Sequence, residues 1–453
     1  MDPSPRPEPL AGSASLPDGG VALPGGGLAD LAGAHGRTAL LVGVGGSGMR
    51  GLARLLLQAG WTVFGADRRM PPPDDPLWGL GLRAHDGGAL PPVSWAVRSA
   101  AVPEDDPAFR EGLAGGARPA TYAELLGAVT RLRPTLTVAG SHGKTTTTNW
   151  IAWALRREGR EVGFLAGATA RQLGVGADWG DDAQPLVLES CEYARSFHHL
   201  RPWRVALLNV DAEHPDTYPG GLPEVEEAFR RFLAGCPAVG EVVAGPEAPD
   251  LSGATAARWL RAESLPDDWE VGLPGEHNRR NAALVAAVLR RFGLDEAAVR
   301  SALRDFRGCE RRLEELGTRG GALVVSDYAH HPVEVEATLQ AARERWSDRP
   351  FLVVFQPHQA QRFHALRDRF APALDAADRL LLLEVHRVRD PDELRASVAE
   401  LVPELVARRD RPLAVANDPE AARALVDAWA GPGAVVLCLG AGDVDDFART
   451  LPG

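Results

Sequence analysis

The sequence predicts an α/β protein of parallel sheets in about three domains, and three observations carry that expectation. Short apolar runs alternate with longer helical stretches from residue 38 onward, the rhythm of strand–helix–strand units. Glycine, 49 residues in all, gathers where those runs end, which is where ligands lie in open α/β sheets. The chain has 453 residues, more than one core accommodates at roughly 150 residues per domain.

In chain order, residues 1–36 are rich in Pro, Gly, Ala and Ser with no apolar period, and such a segment buries too little surface to offset its ordering entropy. It is expected to be a disordered tail. Strands are predicted at Thr38–Val42, Trp61–Ala66, Leu136–Ala139, Leu186–Leu188, Val205–Leu208, Ala322–Val325, Phe351–Phe355, Arg379–Leu383 and Ala434–Leu439. Arg131-Leu132-Arg133-Pro134 reads as a linker, because proline ends the preceding helical stretch. A second boundary is expected between Phe306 and Glu315, where a helical stretch gives way to a fresh strand. The expected domains are therefore 37–133, 134–310 and 311–453.

Composition excludes several classes. Apolar residues make up 45% and charged residues 24%, close to the globular average, so neither a disordered nor a fibrous protein is expected. Acidic residues exceed basic ones by 12 and no long Lys or Arg block occurs, which argues against nucleic-acid binding through phosphate contacts. No stretch approaches the ~20 apolar residues that span a bilayer, and Met1 to Gly27 lacks a basic and an apolar signal region. A cytoplasmic protein with no membrane insertion is expected. Cys191, Cys236, Cys309 and Cys438 lie far apart without metal-type spacing, so no disulfide framework or cysteine zinc site is expected.

The first motif is Gly43-Val44-Gly45-Gly46-Ser47-Gly48, between a predicted strand and the helical run Met49–Ala59. Glycines there let the backbone approach a pyrophosphate at the positive end of a helix. Asp67, 19 residues beyond Gly48, ends the next strand where a ribose hydroxyl can be met. NAD and other diphosphates both suit this loop, and a plain tight turn is the bland alternative.

The second motif is Gly140-Ser141-His142-Gly143-Lys144-Thr145-Thr146-Thr147-Thr148, after the strand Leu136–Ala139 and before the helical run Asn149–Arg157. Backbone N–H groups cradle phosphates, a lysine reaches the β and γ phosphates, and the next hydroxyl holds Mg²⁺. Glu189 ends the strand at Leu186–Leu188, and one Glu with one Thr hydroxyl beside phosphate oxygens makes a credible Mg²⁺ site. His214, in Glu213-His214-Pro215-Asp216, reads equally as a ligand or as a structural histidine. The last third holds Arg311-Arg312-Leu313-Glu314, then Asp327-Tyr328-Ala329-His330-His331-Pro332, then Gln356-Pro357-His358-Gln359-Ala360-Gln361-Arg362. Both histidine clusters follow strands and precede helices, so they face a ligand crevice or serve as helix caps.

Taken in order with Glu189-Ser-Cys-Glu-Tyr193, Glu276-His-Asn-Arg-Arg-Asn281 and Gly440-Ala-Gly-Asp443, these motifs resemble the Mur ligases, from about Thr38 to Leu451. The resemblance implies a Rossmann-like N-terminal domain for a UDP-sugar, a central P-loop ATPase-like Mur ligase domain and a Rossmann-like C-terminal domain for an amino acid. It implies an ATP-dependent, Mg²⁺-dependent ligase of peptidoglycan precursor synthesis, joining L-alanine to the lactyl carboxylate of UDP-N-acetylmuramate through an acyl phosphate. By the same resemblance Gly43, Gly45, Gly46, Ser47, Gly48 and Asp67 bind the UDP-sugar. Gly140, Ser141, His142, Gly143, Lys144, Thr145, Thr146, Asn278 and Asn281 bind ATP, and Thr145, Glu189 and His214 hold metal. Lys144, Arg312, Asp327, His330 and His358 are the implied catalytic set, and Tyr328, His358 and Arg362 the amino-acid side. Either His330 or His358 takes the amine proton.

Departures from the family pattern concentrate on that last side. Ser141 replaces a threonine and Glu213 an aspartate, while Gln359-Ala360 stands for an arginine and an aromatic, and His386-Arg387-Val388-Arg389-Asp390 for aromatic and small residues. Three other readings compete: a family member that recycles a preformed peptide, a non-catalytic nucleotide-binding paralogue, and a dehydrogenase, which leaves Lys144 and both histidine clusters without a role. Oligomeric state is not readable from the sequence.

Overall fold

The computed structural model describes residues 31–388, 390, 393–408 and 410–453. Most of the expected tail, residues 1–30, and Arg389 lie outside the described residues. The end of the expected tail belongs to the folded body, since the Trp95 indole N–H donates to the Leu31 carbonyl at 2.9 Å and Leu31 packs against two apolar clusters. Ser94 holds the same segment further on, accepting the His35 N–H and donating to the Gly36 carbonyl, and such isolated anchors are invisible to a composition argument.

Three sheets form. The first is all parallel and runs, in spatial order, Arg83–Ala84, Thr62–Ala66, Thr38–Val42, Trp95–Arg98 and Arg118–Thr121. The second runs Arg258–Arg261, Glu241–Ala244, Arg204–Leu207, Thr135–Ala139, Leu186–Glu189, Gly163–Leu165 and Ala177–Asp178, antiparallel only at the last pair. The third runs Glu314–Arg319, Ala322–Asp327, Val435–Leu439, Phe351–Phe355, Arg379–Leu383 and Leu413–Ala416, antiparallel only at its first pair. Thr135–Ala139, Phe351–Phe355 and Val435–Leu439 are buried along their whole length, as strands covered by helices on both faces must be.

All nine predicted strands are present. The strands not predicted are short, polar or peripheral: Arg118–Thr121 contains a proline at the sheet edge, and Glu314–Arg319 has no apolar alternation. The helix after the second glycine loop begins at Lys144 rather than Asn149. Its four threonines lie inside the helix and are buried, Thr147 and Thr148 fully, because tertiary packing overrides a weak propensity.

The sheets meet through specific contacts. Gly51 faces Leu165 so closely that a Cβ would lie 2.2 Å from its Cδ1, and Gln58 donates to Asp178 at 3.0 Å, joining the first sheet's helix to the second. Between the second and third, the Glu310 N–H donates to the Thr169 carbonyl at 2.8 Å and the Gly275 N–H to Glu344 at 3.0 Å. The mouths of the strands Thr135–Ala139, Arg204–Leu207 and Ala322–Asp327 thereby open toward one crevice.

Candidate active site

The floor of that crevice is the loop 140–143. Gly143 caps the helix Lys144–Arg157 with φ 82° and no side-chain cap, so the first N–H groups of the helix stay available to an anion. Lys144 folds back over the loop: its ammonium donates to the carbonyls of Gly140 (2.6 Å) and Ser141 (2.9 Å) and pairs with Glu192 at 2.9 Å. Glu192 is fully buried. Burial alone would raise its pKa, but Lys144 and His214 hold the carboxyl down at about 2, and Glu192 in turn raises the Lys144 ammonium above its usual range against its own burial.

Thr145 Oγ1 donates to Glu189 at 3.0 Å, while the other Glu189 oxygen accepts the Gly167 N–H at 2.6 Å. A Cβ on Gly167 would lie 3.1 Å from both Thr145 Oγ1 and Glu189, so this glycine keeps space open beside two oxygen donors. An oxygen pair with an open side suits Mg²⁺. His214 sits across from it, with Nε2 3.5 Å from Glu192 and Nδ1 facing an Arg362 nitrogen at 3.3 Å.

His142 links the loop to its surroundings. Its N–H donates to Asn209 at 2.9 Å, and its ring lies between Asp211 and Glu334, both at 3.3 Å. Burial opposes its charge, yet the two carboxylates push its pKa up to about 10. Ser141 exchanges hydrogen bonds with Asp211, accepting its N–H at 2.8 Å, so the hydroxyl retained there orders the neighbouring loop. Asn281 lies against Gly143, where a Cβ would come within 2.7 Å of its Oδ1. Asn278 donates to the Pro274 carbonyl at 2.7 Å and accepts from Asn281 at 3.4 Å. A cavity of about 60 Å³ opens beside Gly143, lined by His142, Asn209, Glu247, His277, Arg280 and Asn281; Asn278 is not among its lining residues.

The third sheet supplies the opposite wall. Asp327 is buried, which raises its pKa against the pull of Arg312; it accepts the N–H groups of Leu313 and Ala329, both at 2.8 Å, tying the Arg311–Leu313 turn to its strand. The Arg311 and Arg312 guanidinium groups lie 4.6 and 5.2 Å from the centre of the Tyr328 ring. His330 Nδ1 is 3.0 Å from the Tyr328 carbonyl, and burial pushes its pKa down to about 4. The His330, His358 and His386 rings form a row, with centroids 5.7 and 5.4 Å apart. Arg362 reaches across to Glu213 at 3.5 Å. The departures at this wall have a visible consequence: Asp390 accepts the N–H groups of Ala360 (2.9 Å) and Gln361 (3.2 Å), capping the helix whose first turn carries Arg362.

The first glycine loop is different. The Gly45 N–H donates to one Asp67 oxygen at 2.8 Å and the Arg69 N–H to the other at 2.9 Å, so the work of Asp67 in this structure is to hold the loop. Gly45 allows no side chain, since a Cβ would lie 2.1 Å from the Arg69 carbonyl oxygen. Gly43, Gly46, Ser47, Gly48 and Asp67 line a cavity of about 800 Å³ with His85, Ser99 and Tyr122; Gly45 supports it from behind.

Sequence reasoning placed Lys144, Thr145, Glu189, His142, His214 and Arg362 near one another, and the structure brings them together. It did not single out Glu192, Glu334, Asp211 or Asn209. Glu334 follows His331 by three residues, the spacing of a helix capping box, which the two residues form, and that spacing was the available signal.

A Gly-Lys-Thr loop at the mouth of a parallel sheet, with cations delivered from a neighbouring sheet, places the chain among α/β enzymes that bind a nucleotide. Three family models match it in succession: Mur ligase family, catalytic domain (residues 40–133), Mur ligase middle domain (138–262) and Mur ligase, glutamate ligase domain (311–442). A relative from Acidithiobacillus ferrooxidans, UDP-N-acetylmuramate–L-alanine ligase, is 35% identical, the match covering 91% of this chain and 96% of that protein. The chain belongs to the Mur ligase family. The fold is also that of the UDP-N-acetylmuramate–alanine ligase of Thermotoga maritima, with TM-score 0.75 at 22% identity over 91% of this chain and 98% of that one. A murein peptide ligase from Psychrobacter arcticus has TM-score 0.68 at 22% identity over 92% and 98%.

Proposed function

We propose that this chain joins L-alanine to the lactyl carboxylate of UDP-N-acetylmuramate with hydrolysis of ATP, in the cytoplasm, in the assembly of peptidoglycan precursors. The observation that carries the reading is the meeting of Lys144 and Thr145 at the phosphate loop with Glu189 from the adjacent strand and with Arg362 brought over from the third sheet. The names borne by relatives at about 35% identity support the same substrates.

In this reading the sugar nucleotide occupies the cavity above Gly43–Gly48, and ATP lies along Gly140–Thr146 with its base toward Asn281 and Asn278. Thr145 and Glu189 would hold Mg²⁺, with His214 serving a second ion, and such a metal would supply positive charge against the transferring phosphoryl group. A carboxylate does not accept an amine at neutral pH, so it is first phosphorylated. Lys144 offsets charge on the moving phosphoryl group once the triphosphate draws its ammonium from the loop carbonyls. Arg362 orients the carboxylate of the amino acid, a task suited to a planar fork, while Arg312 and Asp327 hold the turn against Tyr328. The amine then attacks the acyl phosphate, a tetrahedral intermediate forms, and phosphate leaves. His330 or His358, whose ring centroids lie 5.7 Å apart on this wall, takes the surplus proton.

Phosphate release with UDP-N-acetylmuramate, ATP, Mg²⁺ and a panel of amino acids tests the assignment. L-alanine is expected to lead, with leakage to glycine and L-serine because one methylene is worth only ~1–3 kcal/mol. A clear preference for an acidic, basic or bulky amino acid removes the alanine assignment. A preference for a preformed peptide returns the recycling reading.

A further inference from the structure

Three side chains outside the Mg²⁺ position converge where the second and third sheets meet. His142 lies on the loop after Thr135–Ala139, Glu213 on the loop after Arg204–Leu207, and His331 at the start of the helix Pro332–Arg345. Each offers one ligand atom, and these atoms lie within 4.8 Å of one another. His331 is fully buried, its Nδ1 accepts the Val333 N–H at 3.3 Å, and its Nε2 has no hydrogen-bond partner. That orphaned nitrogen lies 3.9 Å from Glu213 Oε1, whereas Glu213 Oε2 is turned to Arg362. A buried polar atom left unpaired is costly and calls for a ligand.

We propose that His142, Glu213 and His331 form a binding site for a divalent transition metal of the zinc type, separate from the Mg²⁺ position at Thr145 and Glu189. Two imidazoles and one carboxylate with an open fourth position are a zinc donor set, and a shell with two imidazoles matches Mg²⁺ poorly, since that ion takes mostly oxygen ligands. Bonds of about 2.0–2.2 Å in a tetrahedron separate ligand atoms by about 3.3–3.5 Å, so the Glu213–His331 pair, 3.9 Å apart, needs to close by about half an ångström and no pair by more than about 1.5 Å. The surroundings fit as well. His142 has a carboxylate at each ring nitrogen, Asp211 at Nε2 and Glu334 at Nδ1; whichever nitrogen turns to the metal, the other keeps a carboxylate, the arrangement that orients metal-bound histidines. The ligands come from two sheets and one sits in the phosphate loop, so a bound ion fastens the third sheet over the second and slows turnover. This inference does not depend on which substrates the enzyme uses.

Co²⁺ titration of the full-length protein, in excess Mg²⁺, reads the site directly, because four-coordinate Co²⁺ absorbs strongly in the visible. One equivalent is expected to bind and to be displaced by Zn²⁺. His331→Asn, which keeps a helix-capping acceptor, and Glu213→Gln should each weaken Co²⁺ binding at least tenfold, whereas Glu189→Gln should leave it unchanged. Circular dichroism establishes that each variant is folded, and His331→Asn decides alone if Glu213→Gln is not. Absence of the absorption band from the unaltered protein overturns the proposal. So does a band that survives both ligand variants, or one lost in Glu189→Gln; either means that the cluster is only an ion-pair seam between sheets.

Discussion

The two glycine loops begin alike and end as different instruments. Each follows a buried parallel strand and leads into a helix whose N-terminus has no side-chain cap. Around Gly43–Gly48 the loop is held by a carboxylate, Asp67, and faces a cavity of about 800 Å³. Around Gly140–Gly143 the loop is threaded by a lysine ion-paired to a buried glutamate, and the cavity beside it is about 60 Å³. Backbone N–H groups and space suit the recognition of a large, already formed diphosphate, whereas stabilising charge that develops during transfer needs a cation held in place beforehand. The same strand–loop–helix geometry thus suits binding in one case and, in the proposed reaction, chemistry in the other, according to which side chain enters the loop.

The largest effect that sharpens this contrast is expected from Lys144→Ala. Ligation should fall by at least about 10²–10³-fold, with UDP-sugar binding measured by calorimetry unchanged; full activity in this variant breaks the contrast. Next comes Gly45→Ala, which drives a methyl group into the Arg69 carbonyl. A backbone oxygen cannot yield as a side chain does, so a strain of about 1–3 kcal/mol should raise the KM for the UDP-sugar about 10- to 100-fold and leave the KM for ATP alone.

A pH experiment probes the second loop's mouth. Burial pushes the His277 pKa down to about 4, with Arg312 and Arg280 adding to the shift. The unfolded chain, near 6.5, therefore binds the proton more readily than the folded one, and stability falls as pH drops from about 6.5 toward 4. Denaturant titrations should show His277→Gln losing less stability over that window, by up to about 3 kcal/mol. An identical pH dependence in both proteins means that the ring is not held neutral. The smallest effect is expected from Asp67→Asn, which keeps one acceptor for the loop: a few-fold rise in KM for the UDP-sugar, against a much larger rise for Asp67→Ala. Equal effects would assign Asp67 to charge rather than to loop support.

Much of the site was legible because its parts are local. Gly-Lys-Thr after a strand, a glutamate ending the adjacent strand and histidines at other strand ends each lie within a few residues, where the alternation of apolar runs and glycines marks the carboxyl ends of a parallel sheet. The end of the tail at Leu31, the antiparallel edge Glu314–Arg319 and the early start of the helix at Lys144 were not legible. The first and the last depend on neighbours far along the chain, whereas Glu314–Arg319 pairs with the next strand across Gly320-Gly321 and lacks an apolar alternation to mark it.

The sequence by itself determined the strand positions that carry the three sheets, both glycine loops and the identity of the charged groups at their mouths, since periodicity and glycine placement are properties of short windows. Tertiary structure decided which of those groups meet. Glu334 reaches His142 from 192 residues away, Arg362 reaches His214 from 148, and Lys144 takes Glu192 rather than Glu189 as its partner. Such pairs are chosen by how helices pack two sheets together and by the need of every buried charge for a counter-charge, and no local pattern records that choice.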